Sequence, residues 1–142
     1  MSLRSVLTIV FAGWLAVLGA PQLWAQFGPQ LKADIPFEFH AGNAMLPAGP
    51  YTLGQEGNIQ HVLSLRSGEG KAAAFLLTIS AEAGQVQNQS RLVFRKYGDR
   101  YFLSQVWVSG QRLGWEVPVS RSERELAKRA ARHEVVAVLA QR

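Results

Sequence analysis

The segment Arg91–Val108 constrains the fold most, because it holds two strand-like apolar runs separated by a two-residue turn signal. Gly98 opens that turn, and glycine at the first position of a two-residue loop favours a primed hairpin turn. The turn imposes three cross-strand pairs: Tyr97 with Arg100, Arg95 with Phe102, and Phe94 with Leu103. Four apolar side chains then share one face, which we assign to the core: Leu92, Phe94, Leu103 and Trp107.

Short apolar segments separated by glycine and proline turn signals recur before this hairpin. Residues 35–40 alternate strictly between apolar and polar side chains, which predicts a half-buried strand. Pro36 lacks a backbone N–H, so we expect the strand to begin there or to lie on a sheet edge. Further strands are predicted at 51–53, 61–65, 72–79 and 113–119, with a polar loop over 81–90.

The chain changes character at Ser120. Ser120 and Ser122 each precede a glutamate by three residues, which is the spacing of a capping box. The helix formers after them predict a basic helix over 121–142, although 135–140 is also compatible with a short strand. We expect this helix to pack on the sheet through a narrow stripe, with membrane-surface binding as the alternative. The stripe consists of Leu126, Ala130 and Ala137.

Together these patterns predict a mainly β fold. Antiparallel strands form a small barrel or sandwich, and one C-terminal α-helix packs on it.

Residues 1–25 carry a signal of another kind. Arg4 precedes an apolar run from Val6 to Leu18, and the small residue Ala25 stands before Gln26. This order is typical of a secretory signal peptide. The run is shorter than the roughly twenty residues that span a bilayer, so a retained anchor is the weaker alternative. We predict export, with cleavage near Ala25 and a periplasmic or extracellular location.

We predict four segments along the chain: a signal peptide over 1–25, a flexible lead-in over 26–32, an antiparallel β domain over 33–120 and a basic helix over 121–142. The exported part would have 117 residues, enough for one domain with its own core. The absence of Cys excludes disulfides and thiolate chemistry. Only Arg4 among the 15 basic residues lies in the signal, so the rest stays basic against 10 acidic residues. An anionic envelope surface is therefore one partner class to consider.

Catalytic and metal-binding patterns are weak. The sequence has no Gly-x-Ser-x-Gly elbow, and its acidic residues are scattered. Glu38, His40 and His61 would have to converge to hold a metal, and a solvated strand face explains them more simply. We predict a non-enzymatic domain without a cofactor, and keep a metal-dependent hydrolase as a third hypothesis.

The predicted hairpin also concentrates cations among aromatic side chains, a combination that can hold a sugar or an apolar molecule. The candidate ligand-binding residues are Arg95, Tyr97, Tyr101 and Trp107. A structural role explains each of them as well. Export argues against nucleic acid as a partner. The leading hypothesis is thus a binding or structural module, and the alternative is a small β-barrel that binds a hydrophobic or saccharide ligand.

Several motifs between Ala33 and Lys128 are similar to those of small exported bacterial proteins to which no activity is assigned. They are Ala33-Asp34-Ile35-Pro36-Phe37, Leu46-Pro47-Ala48-Gly49-x-Tyr51, Tyr97-Gly98-Asp99-Arg100-Tyr101-Phe102-Leu103 and Ser120-x-x-Glu123-Arg124-Glu125-Leu126. The resemblance implies export, a β-rich domain and a charged helix near the end. It implies no catalytic residue, and the segment after Lys128 is longer than the family pattern.

Overall fold

A computed structural model describes residues 30–69 and 73–142, so the predicted signal peptide lies outside the described residues. The described part contains eleven strands and one helix, which confirms the mainly β prediction. The strands are β1 (Leu31–Ile35), β2 (Phe39–Ala41), β3 (Ala44–Leu46), β4 (Gly49–Gln55), β5 (Val62–Ser67), β6 (Ala73–Leu77), β7 (Ile79–Glu82), β8 (Arg91–Tyr97), β9 (Arg100–Trp107), β10 (Leu113–Glu116) and β11 (Glu134–Gln141). The helix is α1 (Arg121–Arg129).

The strands form one sheet that curls into a nearly closed barrel. Their order is β3-β2-β9-β8-β11-β1-β4-β5-β6, and all of these neighbours are antiparallel except the β2–β9 pair. The long strand β9 pairs with two strands along one edge. Its first half pairs with β2 and its second half with β10, and β10 also pairs with β7. The two ends of the order, β3 and β6, are the edges at which the barrel is left open.

The central hairpin forms as predicted, except at one residue. Gly98 has φ +58°, and the three predicted cross-strand pairs are present. Beyond Leu103, however, Ser104 is an extra residue in β9, and this β-bulge reverses the facing of the rest of the strand. Val106 therefore enters the core, and the assignment of Trp107 to that face is wrong.

The start of the sheet differs from its predicted boundaries. Leu31 is already buried within β1, so the flexible lead-in cannot extend to residue 32. The single strand over 35–40 is also wrong, because the chain leaves the sheet between Pro36 and Glu38. Pro36 cannot donate a ladder hydrogen bond, and the chain resumes at Phe39 beside a different neighbour, β9.

Two further boundaries are shifted by a few residues. The predicted strand over 72–79 is present as β6, and β7 occupies 79–82, so the first two residues of the predicted loop are strand. The last strand of the β domain, β10, ends at Glu116 rather than at Val119.

The predicted helix is correct only in its first nine residues. Ser120 is the N-cap, and its side chain accepts a hydrogen bond from the Glu123 amide, as the capping-box spacing predicts. From Glu134 the chain is a strand, so the helix over 121–142 and the Ala137 position in its stripe are wrong. Tertiary pairing explains the difference, because β11 fills the space between β1 and β8 and turns alternate side chains onto the core. Those side chains are Val136, Val138 and Ala140.

The barrel interior is filled by side chains. Apolar residues from eight strands and from the linkers at Val108 and Val117 form one buried cluster. Aromatic edge-to-face contacts fix its centre, with the Phe39 ring 5.3 Å from Tyr51 and 5.5 Å from Phe94. Within the described residues, every buried side-chain nitrogen or oxygen atom has a hydrogen-bond partner. The interior is thus a packed core.

Candidate functional site

The four candidate ligand residues do not share one opening. Arg95 and Tyr97 lie on the outer face of β8, whereas Tyr101 lies on the opposite, core-side face of the hairpin. Trp107 lies on the outer face at the far end of β9, opposite Arg91. The hairpin register separates these side chains, since adjacent positions of a strand face opposite sides.

Arg95 and Tyr97 meet a residue that the ligand hypothesis did not include. The Arg95 Nε atom lies 2.5 Å from Glu123 Oε1, and its Nη2 atom lies 3.2 Å from Oε2. The same guanidinium donates through Nη1 to Ser104 Oγ at 2.6 Å, and the Tyr97 hydroxyl donates to Glu123 Oε1 at 3.2 Å. We call these four residues the Glu123 latch: Arg95, Tyr97, Ser104 and Glu123.

The latch holds α1 against the barrel through a carboxylate. Glu123 is only 2% exposed, and it is the buried residue of the helix, while Leu126 and Ala130 are half-buried. A buried carboxylate needs a paired cation and saturated hydrogen bonds, and the bidentate Arg95 fork supplies both. The predicted stripe is thus only half-buried at Leu126 and Ala130, and the fully buried contact of the helix with the barrel is an ion pair.

The local sequence explains why Glu123 is free to turn inward. In a full capping box the glutamate at N3 returns to the N-cap backbone. Here the helix keeps the Ser120 half of the box, while the Glu123 side chain reaches Arg95 on β8. Burial, together with the negative Glu123 beside it, raises the pKa of the Tyr97 hydroxyl. Tyr97 thus stays a neutral donor to the carboxylate.

Tyr101 and Trp107 have packing partners of their own. The Tyr101 ring stacks on Phe37 with centroids 3.7 Å apart, and Lys96 Nζ lies 5.5 Å from its centre. Trp107 is buried over Gly114, where an added Cβ would lie 2.5 Å from an indole carbon. A ligand at the four residues stays a prediction, but it would have to displace Glu123 and these stacked rings.

The histidines do not converge on a metal. His40 stacks on Phe102 at 4.5 Å between ring centroids, and burial, followed by the nearby Arg100, lowers the pKa of its imidazole. His133 lies 5.4 Å from the Tyr97 ring, and His61 is exposed. No group of three or more His, Asp or Glu side chains within the described ranges could hold a metal ion.

A different surface stands out at the gap between the two barrel edges. Strand β6 ends the sheet order, and its Phe75 and Leu77 side chains are 62% and 75% exposed. Beside it lies a groove of about 470 Å³. We call β6 and this groove the open seam; its lining includes Phe75, Leu77, Val117, Val119, Arg121 and Arg124.

At the open seam, the two barrel edges approach each other without strand pairing. Gly42, in the β2–β3 turn, has φ +59°, and a Cβ there would lie 3.3 Å from a Leu76 methyl group. The turn thus contacts the core side of β6, while the outer edge of β6 pairs with no other strand of the described chain. Sequence reasoning missed this surface. Its available signal was the uninterrupted run Ala73–Leu77, which lacks the polar alternation of a covered half-buried strand.

Comparisons with known proteins add no identity: no family model, curated protein or solved structure matches this chain. No helix within the described residues is long and apolar enough to cross a membrane.

Proposed function

We propose that this chain is an exported, non-enzymatic bacterial domain that works as a binding module of the cell envelope or exterior. The observation that carries the proposal is the contrast between a filled barrel interior and the exposed, unpaired apolar strand at the open seam. Small-ligand sites are concave and partly empty, whereas exposed apolar patches on a well-packed domain mark contacts with macromolecules.

Two further observations support this proposal, the first against catalysis and the second for export. The polar side chains of the Glu123 latch hydrogen-bond to one another: Arg95 and Tyr97 donate to Glu123, and Arg95 also donates to Ser104. A catalytic group needs instead to be reachable by substrate. The export half of the proposal rests on residues 1–25, which have the order of a signal peptide.

The experiment is expression of the full-length chain in a Gram-negative bacterium, with fractionation and mass measurement. We expect a periplasmic or medium species that begins at Gln26. A cytoplasmic species, or a membrane-bound one that keeps Met1, would contradict the export proposal.

The binding half is tested in the same cells with a photo-crosslinking residue. It replaces Leu77 at the open seam in one variant and Leu139, an exposed side chain on β11, in another. A covalent macromolecular adduct from either position supports a binding module. Native mass spectrometry that finds a small molecule retained by the purified domain, with no adduct at either position, would favour the ligand-binding barrel.

A further inference from the structure

The open seam is a strand edge without the usual protection. Natural sheets blunt their edges with short strands, prolines, bulges or charges that disfavour pairing with another chain. The other edge of this sheet obeys that rule, since β3 has three residues and is followed by Pro47. Strand β6 runs Ala-Ala-Phe-Leu-Leu and has neither charge nor proline. Its free edge is therefore competent to pair with an added strand.

The groove beside β6 carries a second property, which is unpaired positive charge. Arg121 and Arg124 line it from the first turn of α1, and both are exposed. Neither guanidinium makes an ion pair within the described residues. The two acidic residues of the helix are used elsewhere, because Glu123 binds Arg95 and Glu125 binds Lys128.

The Glu123 latch holds the helix turn that carries these arginines against the barrel. Arg121 and Arg124 flank Glu123 on the helix, and the latch ties Glu123 to β8. The cations are thus presented by a docked helix next to an apolar edge. A partner that fits both features is extended, has apolar side chains to cover Phe75 and Leu77, and carries carboxylates to meet the arginines.

We propose that the open seam binds an extended apolar segment with acidic residues at one end, by addition of a strand to the free edge of β6. The inference rests on the proposed function and names its partner class. A second copy of this chain is a poorer occupant. An isologous pair would set a second β6 against the edge, and that strand has no carboxylate to meet Arg121 and Arg124.

The test uses the purified chain in the form that the fractionation recovers, with labelled acetylated heptapeptides of alternating valine and threonine. Two carry a pair of glutamates, at either the amino or the carboxyl end, so that both strand directions are sampled. A third carries lysines instead, and a fourth is N-methylated at alternate amides to remove ladder donors. Binding is measured by fluorescence anisotropy at two salt concentrations.

We expect one glutamate peptide to bind, more weakly at high salt, with the lysine peptide and the N-methylated peptide each at least about tenfold weaker. The double variant Arg121→Gln/Arg124→Gln should weaken binding by about tenfold, while Arg129→Gln/Arg132→Gln, which removes equal charge outside the groove, should not. Leu77→Lys should weaken binding, and Leu139→Lys should leave it unchanged. Circular dichroism confirms that each variant is folded.

Equal binding of the glutamate and lysine peptides, or binding of none of them, would overturn the inference. So would sedimentation of the wild-type domain as a dimer that Leu77→Lys dissociates, because the occupant would then be a second copy. These results leave the proposed function intact if the Leu139 position gives adducts in cells. Retention of the chain in the cytoplasm, by contrast, would defeat the proposed function whatever the peptides do.

Discussion

The barrel is completed in two different ways on its two sides. On the closed side, β11 lies between β8 and β1 and makes six residue pairs with β8, so backbone hydrogen bonds join sequence-distant strands. At the open seam, no strand ladder joins β6 to the β2–β3 turn, and the Leu76 side chain lies against Gly42 of that turn. The two sides have similar apolar content in their strands, and they differ in whether a neighbouring strand uses the edge.

This difference shows what the tail of the chain does for the fold. The Glu123 latch fixes α1 on the outer face of β8, and five residues after the helix ends β11 begins its pairing with the same strand. The helix held by the Glu123 latch is followed by a short connection and then by β11. This succession returns the chain to the sheet on the closed side. No element of the described chain does the same for β6, which leaves that edge to a partner.

The largest effect is expected from ending the chain at His133. Without β11, both β1 and β8 lose a neighbour, and the inward side chains of Val136 and Val138 no longer cover the core. We expect loss of the cooperative thermal transition, measured by circular dichroism. Leu139→Ser in the full chain is the control, because Leu139 faces outward. A truncated chain that melts like the full one would show that the closed side does not depend on β11.

The latch is tested by Glu123→Ala. This change leaves the Arg95 guanidinium, 16% exposed, without its carboxylate, and breaking one partner of a buried pair costs about 3 kcal/mol of unfolding free energy. Glu125→Ala is the matched control, because its pair with Lys128 is exposed and contributes about 0.5 kcal/mol or less. Chemical denaturation measures both values.

The double variant Arg95→Met/Glu123→Leu separates charge from packing. Replacing both partners by apolar side chains should restore much of the unfolding free energy that a single replacement removes, since no uncompensated charge remains. If the double variant is as unstable as the sum of the single variants Arg95→Met and Glu123→Leu, the interaction between the two residues is not what holds the helix.

Local sequence signals were sufficient to predict the turn and register of the central hairpin. They were insufficient to predict the features that depend on residues distant in sequence. The hairpin around Gly98 could be predicted to the residue because a two-residue turn fixes its register. The bulge at Ser104 could not, because no local turn signal marks it; the Ser104 hydroxyl accepts from Arg95, whose guanidinium also pairs with Glu123 of a helix distant in sequence. A strand over 135–140 was kept only as the alternative to the helix, and the role of Glu123 was missed. Both features are decided by long-range partners, which override helix propensity and capping patterns.

The packing of Trp107 on the outer face of the sheet is tested by a substitution at Gly114, which lies against its ring. At Gly114, a Cβ would lie 2.5 Å from the indole and 2.6 Å from the Val106 carbonyl oxygen, and the backbone atom cannot move aside easily. We expect Gly114→Ala to cost about 1–3 kcal/mol by overpacking. Gly84→Ala is the control, because nothing lies within 4 Å of its position. Equal stability of the two variants would mean that both the Trp107 side chain and the β9 backbone at Val106 shift freely.

A smaller effect is expected from pH at His40. Its pKa in the fold is lowered below the ordinary 6.5 by burial and then by Arg100, against opposing contributions from Glu38 and Glu123. Below pH 6.5 the unfolded chain therefore binds more protons than the folded one, and stability falls until the folded pKa is passed. Denaturant titrations should show that His40→Gln loses less stability than the wild type on acidification. Identical slopes would contradict the assignment.

The smallest effect on stability should come from the open seam itself. Leu77 and Val138 are both branched aliphatic residues in strands, at the end of β6 and in the middle of β11. Leu77 is 75% exposed, whereas Val138 packs against the core. Leu77→Lys should change the unfolding free energy by about 0.5 kcal/mol or less, because no buried contact is lost. Val138→Lys should be strongly destabilising, since it sends an unpaired charge toward the core. If Leu77→Lys were equally costly, the outer face of β6 would already be covered within the chain, and the two sides of the barrel would not differ in the way proposed.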